Sequence, residues 1–181
     1  MKSFDPTPTE SVNQKSYRIL KPLGHGKGGY SLLAIGEKGF VVLKKIHHEP
    51  CSYYQFGNKL QSELHDYRRL KEIGIRMPLL LDADESKEIL VKEYLEGKTI
   101  AEEIEEGEDI SAYLPQIEEM AECAKANGLN IDYYPTNFIA KDGLLYYIDY
   151  ECNAYMEEWS YPVWGKKYWV KEELVKQNGI V

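Results

Sequence analysis

Long apolar runs are missing from this chain. The longest aliphatic stretch, about Met77 to Leu81, falls far short of the roughly 20 residues that a membrane-spanning helix needs. Residues Met1 to Glu10 carry no apolar core of the kind that directs secretion, so a cytoplasmic location is expected and no membrane partner. Cysteine is scarce: Cys51, Cys123 and Cys152 are odd in number, scattered and without a C-x-x-C spacing. That excludes a disulfide framework and a cysteine zinc site, and leaves reduced, structural thiols. Basic residues are also short, 22 Lys and Arg against 30 Asp and Glu, for a net charge of −8. A nucleic-acid backbone needs clustered cations, so nucleic acid is not expected as a partner. Apolar side chains are not in short supply: 43% of the 181 residues are hydrophobic and 12% aromatic, enough for a folded core and too much for a disordered chain.

The chain reads as two halves of different character. Residues 1–16, with Pro6, Pro8 and several Ser and Thr, are expected to form a flexible lead-in. From Tyr17 a meander is expected: strands over Tyr17 to Leu20, Tyr30 to Ile35 and Phe40 to Ile46, joined by the glycines 24–29 and the turn Gly36 to Gly39. A loop containing Pro50 and Gly57 leads to a helix over Lys59 to Ile73, where Leu60, Leu64, Tyr67 and Leu70 share one face and Gly74 ends it. Two further strands are expected at Met77 to Asp82 and Glu88 to Tyr94, across the turn Asp84-Glu85-Ser86-Lys87. The second half reads as helices over Thr99 to Glu106 and Ile110 to Ala126, the latter capped by Asn127-Gly128. Short strands Asn137 to Ala140 and Leu144 to Ile148 follow.

Gly24-His25-Gly26-Lys27-Gly28-Gly29 fits G-x-G-x-x-G. A dinucleotide site would need a helix straight after the glycines, yet Tyr30 to Ile35 reads as a strand, so a strand-turn-strand flap over phosphates fits better. Taken alone the segment is equally an ordinary hairpin turn. Val41-Val42-Leu43-Lys44 puts a lysine at the end of an apolar strand, with Lys45 facing the other way, and Glu63 falls within the next helix. Further on, Asp132-Tyr133-Tyr134-Pro135-Thr136-Asn137 has D-x-x-x-x-N spacing, and Ile148-Asp149-Tyr150-Glu151 follows a strand. Taken singly, these are a surface lysine, a capped turn and a polar strand end.

In this order the features resemble the protein kinase-like superfamily, and most closely its small atypical RIO-like and Bud32-like branch. The resemblance covers roughly Tyr17 to Glu151. It implies an α+β, minimal bilobal kinase-like fold: a five-stranded antiparallel N-lobe with one helix over 17–93, and a truncated helical C-lobe over 94–181. It implies ATP and Mg²⁺ as cofactors, with Gly24, Gly26, Gly29 and Lys44 at the phosphates and the backbone from Glu93 to Leu95 at adenine. Glu63 would hold Lys44, Asp132 would orient the acceptor hydroxyl and take its proton, and Asn137 and Asp149 would hold the metal. The implied activity is γ-phosphoryl transfer to a hydroxyl of a protein, as in a serine/threonine kinase, or of a small molecule. A pseudokinase acting as a binding module is the alternative.

The sequence also departs from the family pattern. Asn130-Ile131 stand where conventional kinases have His-Arg, Glu151 replaces a glycine, and no A-P-E element follows Asp149. Lys92 falls at the gatekeeper-like position, where a buried ammonium would need a partner such as Glu63; with the register off by one it would point to solvent. The tail holds Trp159, Trp164 and Trp169. It is expected to fold back over the second lobe, the alternative being an anchor for a protein partner. His47 and His48, adjacent on a strand, point to opposite faces and make a poor metal pair.

Overall fold

A computed structural model describes residues 8–26, 28–48 and 58–178. Lys27, Pro50, Cys51, Gly57 and the first part of the expected lead-in lie outside them. The chain forms two compact units. The first comprises residues 1–62 and 78–94, the second residues 63–77 and 95–181.

The first unit is a six-stranded antiparallel sheet rather than the expected five. Its strands are β1 (Thr9–Val12), β2 (Lys15–His25), β3 (Gly29–Gly36), β4 (Gly39–Ile46), β5 (Leu80–Asp84) and β6 (Ile89–Glu93), in the order β1-β2-β3-β4-β6-β5. The additional strand is β1, within the segment expected to be a flexible lead-in. Asn13 and Gln14 join it to β2 with φ of 44° and 67°, and Val12 pairs with Lys15. Two successive left-handed residues make the tight hairpin whose twist suits antiparallel strands. Strand β5 starts at Leu80, later than Met77, and β2 runs on to His25.

Alternation sets the core of this unit. Val41 and Leu43 on β4 and Ile89 and Val91 on β6 face inward with Val12, Tyr17 and Ala34. The β1–β2 hairpin and β5 are joined by side chains. The Asn13 amide donates to Asp82 at 2.8 Å and to the Ala83 carbonyl at 3.0 Å, and Lys15 pairs with Asp82 at 2.6 Å. Lys45 reaches Glu10 at 2.5 Å from the inward-facing side of β4.

Helix α1 (Lys59–Glu72) begins in the first unit, where Lys59 donates to the His47 carbonyl at 2.7 Å, and its residues from Glu63 group with the second. Its expected face of Leu60, Leu64, Tyr67 and Leu70 is buried, and Gly74 closes it at φ 86°. In the second unit, α2 (Ile100–Glu106) starts with a capping box, Thr99 exchanging hydrogen bonds with Glu102. Helix α3 (Leu114–Ala126) starts four residues later than expected. Residues 111–113 form a turn that Asp109 caps, and Pro115 sits in the first helical turn, where its missing N–H costs nothing. Strands β8 (Phe138–Lys141) and β9 (Leu144–Tyr147) form the expected hairpin. Strands β7 (Leu129–Ile131) and β10 (Cys152–Ala154) pair antiparallel and were not foreseen.

The tail after β10 turns through short irregular helices into α4 (Lys171–Asn178). Trp169 is buried, packs edge-on against Phe138 at 5.3 Å, and donates its indole N–H to the Tyr133 carbonyl at 2.8 Å. Folding back, the expected arrangement, is therefore what Trp169 does, which withdraws it from the alternative role of a partner anchor. Trp159, 50% exposed, is not.

Candidate functional site

In the first unit, the glycine-rich segment is a hairpin turn between β2 and β3, closed by the Gly26 N–H donating to the Gly29 carbonyl at 3.0 Å. A strand follows the glycines, as the sequence indicated, so no helix starts straight after them. The glycines differ in what they do. A Cβ on Gly29 would lie 2.3 Å from the Lys45 carbonyl oxygen, so Gly29 is demanded by β3–β4 pairing. Gly24 and Gly26 have open space where a Cβ would stand and no left-handed backbone. Nothing among the described residues asks for glycine at these two positions, whereas close approach by a ligand would.

Register places two lysines on one face of the sheet. Lys44 pairs with Leu90 and Val42 with Lys92, so Lys44 and Lys92 are diagonal neighbours on the face opposite Val41, Leu43 and Val91. Lys45 faces the other way toward Glu10, as alternation requires. Lys92 is only 6% exposed, which excludes the solvent-facing register. Lys44 is half-buried. The N–H of Glu93 is taken by the Leu79 carbonyl at 2.8 Å, and its carboxylate accepts the Leu79 N–H at 3.1 Å. Leu95, whose side chain is buried, opens the next run of the second unit.

The second unit gathers Asp132, Asn137 and Asp149. Strand β7 delivers Asp132, a 3₁₀ turn over Pro135–Asn137 delivers Asn137, and Asp149 stands between β9 and β10. Because Ile131 pairs with Cys152, the start of the Asp132 loop and the end of the Asp149 segment are held side by side. The Asn137 carbonyl accepts the Ile148 N–H at 2.9 Å, and the Asn137 side-chain amide donates to the Asp132 carbonyl at 3.5 Å. One carboxylate oxygen of Asp132 accepts the Tyr134 N–H at 3.0 Å, and one of Asp149 accepts the Tyr150 N–H at 2.9 Å. Asp132 is exposed and Asp149 half-buried.

Tyr147 ties the two loops together, a role the sequence did not disclose. Its hydroxyl accepts the Asp132 N–H at 3.3 Å and donates to the Glu151 carbonyl at 2.9 Å. Complete burial, reinforced by Asp149 and Asp132, pushes its phenol well above the ordinary range, so it keeps the proton that the bond to Glu151 needs. The alternation of β9 marked Tyr147 as an inward position, but only the loops opposite reveal what its hydroxyl does. Glu151 itself is exposed.

Helix α1 is fastened to the same loops. The Tyr67 ring packs against Tyr150 at 4.6 Å, and the buried Asp66 accepts the Cys152 N–H at 3.2 Å. Glu63 precedes Tyr67 by four residues and so lies on the same side of the helix, half-buried. Asp66 and Tyr67 thus hold the helix that carries Glu63 to the segment that carries Asp149.

No family model matches the chain. Over 93 residues, 46% of its length, it is 29% identical to the KEOPS complex subunit Bud32 of Pyrococcus abyssi (strain GE5 / Orsay). That likeness points to a protein kinase-like family. The match spans 39% of the relative's own length. No helix among the described residues is long and apolar enough to cross a membrane.

Proposed function

We propose that the protein is an ATP-dependent phosphotransferase that passes the γ-phosphoryl group of ATP to a hydroxyl, as a serine/threonine kinase does. The observation that carries this reading is the hydrogen-bonded bracket of the second unit, in which Asp132, Asn137 and Asp149 are held together by Tyr147 and by the Asn137–Ile148 bond. Asp132 orients the acceptor hydroxyl and takes its proton. Lys44 meets the phosphates, Glu63 supports that cation, and the turn at Gly24 and Gly26 admits the phosphates without steric hindrance.

The donor set fits Mg²⁺. The Asn137 amide turns its nitrogen toward the Asp132 carbonyl, which leaves its oxygen for a cation, and Asp149 supplies a carboxylate; hard oxygen donors are what Mg²⁺ takes. The ion, when bound, neutralises charge on the phosphates. The acceptor is a protein or small-molecule hydroxyl.

A second reading, a pseudokinase that binds partners, is favoured by the buried Lys92 on the face of Lys44 and by Glu151 in place of glycine. One experiment separates the two. Thermal unfolding is followed with ATP, with and without Mg²⁺, beside radiolabel transfer from ATP by the wild type and by the Lys44→Ala and Asp132→Ala variants. A Mg-ATP shift with label on the wild type alone supports the transferase. A shift without label leaves a nucleotide-binding pseudokinase or a kinase lacking its acceptor, and no shift at saturating nucleotide removes the transferase and leaves a nucleotide-free binding module.

A further inference from the structure

Three imidazole and phenol rings meet beside the glycine-rich turn, all within the first unit. His25 ends β2, Tyr30 lies on β3, and His47 follows β4. The His25 and His47 Nε2 atoms stand 3.2 Å apart, and the Gly26 carbonyl oxygen is 2.9 Å from the His47 Nε2. Tyr30 stacks flat on His25, ring centroids 4.4 Å apart and planes 6° from parallel, and lies 5.1 Å from the His47 ring, so both imidazoles are held in orientation.

We infer that His25 and His47, with the Gly26 carbonyl, form a binding site for a borderline divalent transition-metal ion such as Zn²⁺ or Ni²⁺. The His47 Nε2 has both the His25 Nε2 and the Gly26 carbonyl oxygen within contact distance, yet neutral imidazoles bring at most one proton each. A single N–H cannot serve every pair in that group well, whereas a cation serves all three lone pairs at once. The spacing suits this. Two metal–nitrogen bonds of about 2.0–2.1 Å subtend 3.2 Å at an angle of about 100°, close to tetrahedral. Imidazole is the ligand that Zn²⁺ and Ni²⁺ favour, and water completes the shell. The pair lies across the sheet from strand to strand, which is why adjacency in sequence, as in His47-His48, did not reveal it. His48 turns instead to Glu88 at 2.6 Å. The site stands whether or not the chain binds ATP.

The test uses the full chain after chelator treatment, with Ni²⁺ as the probe because its preference for imidazole separates the pair from the cysteines. Calorimetric titration at neutral pH is expected to show one site, weakened at least about tenfold in His25→Ala and in His47→Ala and unchanged in His48→Ala. On the wild type, paramagnetic Ni²⁺ is expected to broaden the imidazole resonances of His25 and His47 before those of His48 and His65. This second readout does not depend on any variant folding. Equal broadening of all four histidines, or affinity unchanged in both His25→Ala and His47→Ala, overturns the site and leaves the 3.2 Å contact as an ordinary N–H···N hydrogen bond.

Discussion

Tyr67 on helix α1 packs its ring against Tyr150 at a centroid distance of 4.6 Å, and this contact joins the helix bearing Glu63 to the segment bearing Asp149. Tyr150 is fully buried and Tyr67 8% exposed. Removing either ring leaves a cavity and strips the other of its partner, at a cost of about 3–5 kcal/mol for a buried aromatic cut to alanine. Urea unfolding of Tyr67→Ala and Tyr150→Ala is expected to show losses of that order, while Tyr67→Phe, which keeps the ring, loses less than Tyr67→Ala. The double variant is expected to lose less than the sum of the singles, because the two rings share one contact.

Cys152 sets an alkaline limit. Burial, with Asp66 beside it, pushes its thiol up to about 12 from an ordinary 9.0, and burial pushes the Tyr133 phenol up to about 12 from 10.0. A group whose folded value lies above its unfolded one contributes fully below the unfolded value, and that contribution is lost as pH rises toward the folded value. Stability is therefore expected to hold up to about pH 9 and to fall between there and about 12. Denaturant midpoints measured through this window are expected to decline less steeply for Cys152→Ala than for the wild type. Equal slopes would show that the thiol does not contribute.

Two ion pairs of the first unit, Glu10 with Lys45 and Asp82 with Lys15, govern the acid side. Glu10 is held below its ordinary range chiefly by its hydrogen bond from Lys45. For Asp82, burial alone would raise the carboxyl, but hydrogen bonds from Lys15 and Asn13 outweigh it and lower the value. Stability from a depressed carboxylate is present above its unfolded value, 4.5 for Glu10 and 3.8 for Asp82, and is lost as pH falls through the folded one. The acid unfolding curve of Glu10→Gln, followed by circular dichroism, is expected to be flatter below these values than that of the wild type. Added salt is expected to narrow the difference, because these pairs lie near solvent.

Periodicity made the larger elements legible. Leu60, Leu64, Tyr67 and Leu70 marked α1, Gly74 marked its end, and alternation on β4 separated Lys44 from Lys45. What stayed hidden were elements too short to show a period. Strands β7 and β10 are three residues each, and they exist because they pair with one another. Strand β1 was concealed by a lead-in rich in proline and hydroxyl side chains, although Asn13 was a turn signal of the right kind. Order and spacing singled out the five polar residues proposed for the site, Lys44, Glu63, Asp132, Asn137 and Asp149. The groups that hold three of them in place, Asp66, Tyr67 and Tyr147, read only as helix and strand positions until their partners were known.

If Asp132 takes the proton from an acceptor, then Asp132→Asn removes that base while keeping an oxygen for the Tyr134 N–H now bonded at 3.0 Å. Loss of a general base typically costs about 10²–10⁴ in rate. Phosphoryl transfer measured by radiolabel is expected to fall by that factor, with the Mg-ATP thermal shift and the urea midpoint unchanged. A fall in the thermal shift as large as the fall in rate would instead assign Asp132 to nucleotide binding.

Gly24 and Gly29 separate folding from ligand approach within one turn. A methyl group on Gly29 would meet the Lys45 carbonyl at 2.3 Å, and since that atom belongs to the backbone of β4 the ladder itself must move. Overpacking of this kind costs about 1–3 kcal/mol, so Gly29→Ala is expected to lower the urea midpoint visibly. At Gly24 a Cβ meets nothing within 4 Å and the backbone is not left-handed. Gly24→Ala is expected to leave stability unchanged or raise it by about 0.4–1 kcal/mol through the unfolded chain. If phosphates lie against this turn, the same methyl group obstructs them, and the Mg-ATP thermal shift of Gly24→Ala is expected to shrink even as the protein alone becomes no less stable. An undiminished shift would move the phosphates away from Gly24 and leave the turn as a hairpin connection.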